Sequence, residues 1–210
     1  FDKLLAQLQK EGGHLASPAE KELLRKAMWD DERHRTSSTV AIAPQQLAKI
    51  ARFEIPADRK FIMVHGDGIG REHHFSGEKL TTLLALYKYQ SFDQALEMMR
   101  GVYEVGGKGH SCGIYSFDQD HIHRLALAAP VSRIMVRQPQ SKANAGAFNN
   151  GMPMTSSLGC GTWGGNIISE NVHLKHYMNT TWVSVPIKED KPSDAELFGY
   201  TPGQAARLAR

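Results

Sequence analysis

Cysteine is scarce in these 210 residues: only Cys112 and Cys160 occur. A pair so far apart makes neither a disulfide framework nor a close metal-ligand motif. Long apolar runs are missing as well. No stretch reaches the roughly 18 residues that a membrane-spanning helix needs, and no signal peptide opens the chain, so no membrane partner is expected. Charge of one sign is also lacking. The 25 Lys and Arg stand against 22 Asp and Glu, a formal net charge of +3. With no basic run interleaved with aromatics, no nucleic acid partner is expected. Ten histidines are present, but the HExxH and Cys/His zinc spacings are absent. His73–His74, or His121 with His123, would point apart on a helix. No metal is expected. What is left is an ordinary globular composition, 41% hydrophobic and 22% charged, long enough for one substantial core. It suits a reducing, cytoplasmic setting.

Glycine is abundant in one place. Ser157 to Val172 reads SLGCGTWGGNIISENV, with four glycines in seven residues around Cys160 and Trp163. Glycine loses the most conformational entropy on folding, so such density implies a backbone that needs positive φ or a close approach. Elsewhere the pattern alternates helix and strand. Phe1–Gln9 places Leu4, Leu5 and Leu8 on one helical face ended by Gly12–Gly13. Ser17–Pro18–Ala19–Glu20 is a capping box opening a helix with Leu23, Leu24 and Met28. Pro44–Arg52 predicts a helix with Leu47 and Ile50 inward. Ser91 caps a helix carrying Ala95, Leu96, Met99 and Val102, and another spans Asp118–Ala128 before Pro130. His121 and His123 are expected on the outer part of that helix. Lys60–Val64, Thr82–Tyr87, Cys112–Tyr115 and Ser132–Val136 read as short strands, and 138–157 as an irregular loop. This order predicts an α/β fold, a twisted, mostly parallel sheet flanked by helices. Thr180–Val185 alternates as a late strand, and residues from Lys188 onward read as an exposed tail.

Gly66–Asp67–Gly68–Ile69–Gly70 follows a strand, but position 71 is Arg. The dinucleotide fingerprint needs a third glycine opening a helix, so a connecting loop is expected instead.

Three blocks point to a family. The 157–172 segment followed by Lys175–His176–Tyr177–Met178–Asn179, the segment Phe75–Leu80 followed by Leu83–Tyr87, and Gly107–Lys108–Gly109–His110–Ser111 resemble, in order and spacing, the CoA-acylating aldehyde dehydrogenases. The likeness runs from Phe1 to about Ile187. Arg137–Gln138–Pro139–Gln140–Ser141–Lys142–Ala143–Asn144 and the tail Asp190–Ser193 are similar to a subgroup acting on sulfoacetaldehyde. The resemblance implies the family's catalytic-domain fold over 1–187, with a tail at 188–210. It implies that Thr180–Val185 projects to pair with another subunit in a homo-oligomer. It also implies NAD or NADP as cofactor, CoA as co-substrate, and a nucleophilic cysteine and dinucleotide-binding domain N-terminal to Phe1.

Glu78 then corresponds to the carboxylate that receives the nicotinamide-side ribose hydroxyls, and His110 lies near the active-site tunnel as an assisting residue, contacting CoA or steering its thiol. Arg137 and Lys142 are candidates for holding an anionic substrate, and Trp163 for a wall of its channel. No catalytic nucleophile is expected in this chain. Cys160 packs within the glycine loop, and Cys112 is a small buried hydrophobe. A non-acylating dehydrogenase or acyl reductase on the same scaffold, and an inactive interaction module, stay open as other readings.

Overall fold

The computed structural model describes residues 1–199. The chain divides into Phe1–His176 and a second unit beginning at Tyr177. In the first unit, β1 (Gly13–Leu15), β2 (Phe61–His65) and β3 (Leu83–Leu86) form a parallel sheet in that order. Gly13 stands opposite Phe61, and Ile62 opposite Leu83. β4 (Cys112–Ile114) and β5 (Ile134–Val136) form a second parallel pair with Cys112 opposite Ile134. The sheet structure is therefore parallel as expected, but divided in two.

Six helices accompany the strands of this unit: α1 (Asp2–Lys10), α2 (Pro18–Met28), α3 (Pro44–Ile50), α4 (Phe92–Gly106), α5 (Gln119–Ala128) and α6 (Gln140–Ala143). Their starts follow from capping. The Ser17 hydroxyl accepts from the Glu20 amide at 3.3 Å while the Glu20 carboxylate accepts from the Ser17 amide at 2.7 Å. Asp118 accepts from the amides of Asp120 and His121. Each bond satisfies an otherwise orphaned first-turn donor. One core joins Leu24 and Met28 of α2, Leu47 and Ala48 of α3, and Ile62 and Val64 of β2. A second joins Leu96 of α4 and Leu125 of α5, with Cys112, Ile114 and Ile134 packed against it.

Several expectations are corrected. Gly12–Gly13 are expected only to end a helix; pairing with β2 makes Gly13–Leu15 a strand. Ile50 is 41% exposed because α3 ends there and Ala51 takes the core position. Leu4 is exposed, and no α1 residue is buried. α6 interrupts the supposed loop 138–157. His121 stacks on Phe92, ring centroids 4.0 Å apart, rather than sitting wholly outward.

Thr180–Val185 is in no strand, and no ladder pairs with it among the described residues. An alternating segment becomes a strand only when a partner supplies the other half of each hydrogen bond. The expected tail contains a short helix, α7 (Asp194–Phe198), with its own capping box from Ser193 to Glu196. Its remainder, residues 200–210, lies outside the described residues. Among the described residues no helix is long and apolar enough to cross a membrane.

Candidate functional site

Glu78 lies in the connection between β2 and β3, just beyond a single turn of 3-10 helix at His74–Ser76. That connection is tied down on both sides. Buried Phe75 sets its ring edge-on to Trp29, with centroids 5.1 Å apart. The Ser76 hydroxyl reaches back to the Gly70 carbonyl at 2.8 Å. Lys79 turns its ammonium inward and donates to the Phe75 and Gly77 carbonyls at 3.0 and 2.8 Å. Arg35 donates to the Lys79 carbonyl at 2.9 Å. The carboxylate of Glu78 itself stays exposed. Gly66–Gly70 remains a loop, as its failed fingerprint implied; no helix opens on it.

Burial pushes the Lys79 ammonium down to about 8 from an ordinary value of 10.5. The folded chain then holds this proton less tightly than the unfolded chain does. The charged form opposes folding below about pH 8, and that cost is lost as pH rises toward 10.5, so stability rises with pH in this window. Lys79→Met removes the titration. The unfolding free energy of wild type relative to Lys79→Met is expected to rise between those two values by on the order of 3 kcal/mol. Denaturant melts of both proteins at the two ends of the window measure it, and a pH-independent difference contradicts it.

His110 sits where α4 returns to the second sheet. Gly107 and Gly109 precede it, and Gly109 bridges to Val131 alongside β5. Ser111, which follows, is 4% exposed and collects a dense set of bonds. Tyr103 of α4 donates its hydroxyl to the Ser111 carbonyl at 2.7 Å. Gln140 donates to the same carbonyl at 3.0 Å and to the Ser111 hydroxyl at 2.9 Å, and Asn144 donates to that hydroxyl at 3.3 Å. The His110 Nδ1 lies 2.7 Å from the Ser111 Oγ.

The two predicted residues meet. Glu78 and His110 line one cleft of about 670 Å³ between the β3 side and the end of α4, together with Lys79, Tyr103, Ser111 and Gln140. Gly106 eases the close packing of the α4 end here, because a Cβ there would stand 3.3 Å from the Glu78 amide nitrogen. Arg137, Lys142 and Trp163 are not in the lining. Arg137 donates to the Ser116 carbonyl at 2.6 Å and covers the Phe117 ring. Lys142 is exposed on α6, and Trp163 is 56% exposed on a 3-10 turn.

Ser111, Gln140 and Asn144 were not anticipated. The signal was present: Gln140 and Asn144 are four apart, the spacing that aligns side chains on one helical face. It was hidden because 138–157 read as a loop.

The glycine-rich segment braces this site from behind. Cys160 packs its Cβ within the loop, where a Cβ on Gly109 would meet it at 2.7 Å and one on Gly164 at 2.5 Å. Gly159 comes so close to Ile168 that a Cβ would lie 2.1 Å from its carbonyl oxygen. Asn171, 2% exposed, donates to the Asn144 and Pro153 carbonyls. Cys112 is half-buried, and burial pushes its thiol above the usual range; a thiol held protonated is a poor nucleophile.

No protein-family model matches the chain. It is 36% identical over 203 residues to a sulfoacetaldehyde dehydrogenase of an Acholeplasma species, covering 95% of this chain and 42% of that protein. It is 37% identical over 203 residues to an acylating sulfoacetaldehyde dehydrogenase of Cupriavidus necator, covering 95% and 41%. Over 201 residues it is 33% identical to an acetylating succinate-semialdehyde dehydrogenase of Clostridium kluyveri, covering 95% and 44%. Among solved structures, an acetylating aldehyde dehydrogenase from Geobacillus thermoglucosidasius superposes with a TM-score of 0.83 at 31% identity, over 91% of this chain and 42% of the other. The chain spans about two-fifths of the length of these relatives. Over nearly all of its own length it is homologous to part of the acylating aldehyde dehydrogenases and shares their fold.

Proposed function

We propose that this chain forms part of an enzyme that oxidises a short, anionic aldehyde, of the sulfoacetaldehyde kind, to an acyl-CoA, with NAD or NADP as oxidant. The observation that carries this reading is the convergence of Glu78 and His110 on one cleft. The dinucleotide, when bound, takes up hydride from the substrate carbon. Glu78 suits its nicotinamide-side ribose: the carboxylate is exposed, backed by Gly77, Gly106 and Gly107, and has two acceptor oxygens for a vicinal diol.

The nucleophile in this reading is a cysteine thiolate outside this chain. It attacks the aldehyde carbonyl, and after oxidation the acyl group passes from its sulfur to the CoA thiol. His110 lines the cleft from the second sheet and meets the acyl group or the thiol. An anionic substrate is supported by the sulfonated and carboxylated aldehydes in the names of the relatives. Arg137, Lys142 and Trp163 lie outside the cleft lining, and we assign the anion to none of them. The exposed apolar side chains of Trp182, Val183 and Val185 support pairing of Thr180–Val185 with another subunit of a homo-oligomer.

Glu78→Gln tests the reading in the protein that carries this chain. Replacing a charged acceptor by a neutral amide removes a hydrogen bond worth about 1.5–3 kcal/mol. The dinucleotide KM is expected to rise about ten- to a hundredfold, with the KM for CoA unchanged. Unchanged dinucleotide constants would return Glu78 to the role of an ordinary surface carboxylate.

A further inference from the structure

The bonds around Ser111 determine which nitrogen of His110 carries its proton. The Ser111 hydroxyl has one proton and two lone pairs. Ser111 is 4% exposed, so its hydroxyl is held mainly by protein groups. Gln140 and Asn144 both donate to its oxygen, at 2.9 and 3.3 Å. The orientation of the Gln140 amide is dictated by the Ser111 carbonyl 3.0 Å away, which accepts and so cannot face the amide oxygen. With both lone pairs engaged, the hydroxyl must donate. Its remaining neighbour is His110 Nδ1 at 2.7 Å, the shortest contact of the set.

We infer that Ser111 donates to Nδ1 and locks His110 in the Nε2–H tautomer, so that His110 meets the substrate as a hydrogen-bond donor. This rests on the reading of the cleft given above. Nε2 carries no hydrogen bond among the described residues and is the available polar edge of a side chain that lines the cleft. A nitrogen that already bears its proton cannot take one from a thiol. It can hold a carbonyl oxygen or a thiolate, which is stabilisation by a preset donor rather than base catalysis. Ser111 is then a positioning residue, itself set by α6. Those donors come from Gln140 and Asn144, four residues apart on one face.

Imidazole nitrogen shifts report the tautomer directly. In protein labelled with 15N-histidine and free of substrate, at about pH 8.5, above the ordinary imidazole value of about 6.5, the His110 resonances are identified by their loss in His110→Asn. Nδ1 is expected in the pyridine-like range and Nε2 in the pyrrole-like range. Asn144→Asp supplies a carboxylate that captures the Ser111 proton, and the pattern should then invert. Should that variant fold poorly, Ser111→Ala provides the same test, because Nδ1 loses its donor and both shifts move toward an average. A pyrrole-like Nδ1 in wild type, or shifts unmoved by Ser111→Ala, would overturn the inference.

Acyl transfer to CoA extends the test to function. His110→Gln keeps an N–H near the position of Nε2, so it should retain at least about tenfold more activity than His110→Ala; equal losses refute the donor role. Failure of the dehydrogenase reading shows separately in the Glu78→Gln dinucleotide constants, which the tautomer does not touch.

Discussion

Gly109→Ala is expected to destabilise the protein by roughly 2–5 kcal/mol. Two costs add. Gly109 has φ +104°, a conformation in which a side chain is strained by about 1–3 kcal/mol. Its Cβ would also stand 2.7 Å from the Cys160 Cβ, 2.8 Å from the Gly164 nitrogen and 2.9 Å from the Cys160 oxygen. Two of these are backbone atoms that cannot swing aside, and overpacking of this kind costs about 1–3 kcal/mol. Gly107 is the internal control, because its φ is +95° but no atom lies within 4 Å of its Cβ position. Gly107→Ala should show the strain without the clash. Denaturant midpoints at constant slope measure both variants. If the two substitutions cost the same, the glycine-rich segment does not bear on Gly109, and the bracing of the His110 turn from behind is wrong.

Asn171→Ala is expected to cost about as much, roughly 2–5 kcal/mol, for a different reason. The amide of Asn171 donates to the Asn144 carbonyl at 3.0 Å and the Pro153 carbonyl at 2.9 Å, in a site that is 2% exposed. Removing it strands two acceptors, each worth about 1–3 kcal/mol when left buried and unpaired. Arg133 donates weakly to the Asn171 oxygen and more closely to the Gly159 carbonyl at 2.7 Å, so it keeps one partner and moderates the loss. The consequence reaches the cleft because the same Asn144 donates to Ser111. A loss below about 0.5 kcal/mol would mean that water or a relaxed backbone replaces the bonds.

Local features were legible where they depend on near neighbours. Ser17, Ser91 and Asp118 announced helix starts, and each accepts from a first-turn amide. Four of the five strands of the first unit stand where short apolar runs placed them, with ends shifted by a residue or two. The fifth, β1, has three residues and begins within the Gly12–Gly13 pair, so nothing local distinguishes it from the end of a helix. Thr180–Val185 alternates as a strand would, but within this chain no ladder pairs with it among the described residues.

The candidate site divides along the same line. Glu78 and His110 could be named from the sequence because each sits in a block whose order and spacing carry a family resemblance. Arg137, Lys142 and Trp163 came from the chemistry of anions and channels, which says nothing about where a side chain points, and the cleft does not include them. The sequence by itself determined the helix caps and the parallel α/β order, and its family resemblance singled out Glu78 and His110, which line one cleft. Only the tertiary structure decided that α6 turns Gln140 and Asn144 onto Ser111, and that Asn171 holds Asn144 in place. Hydrogen bonds between residues 27 to 33 positions apart leave no periodic trace in a sequence. A polar side chain shows its partner only once the backbone has brought the two together and excluded water from between them.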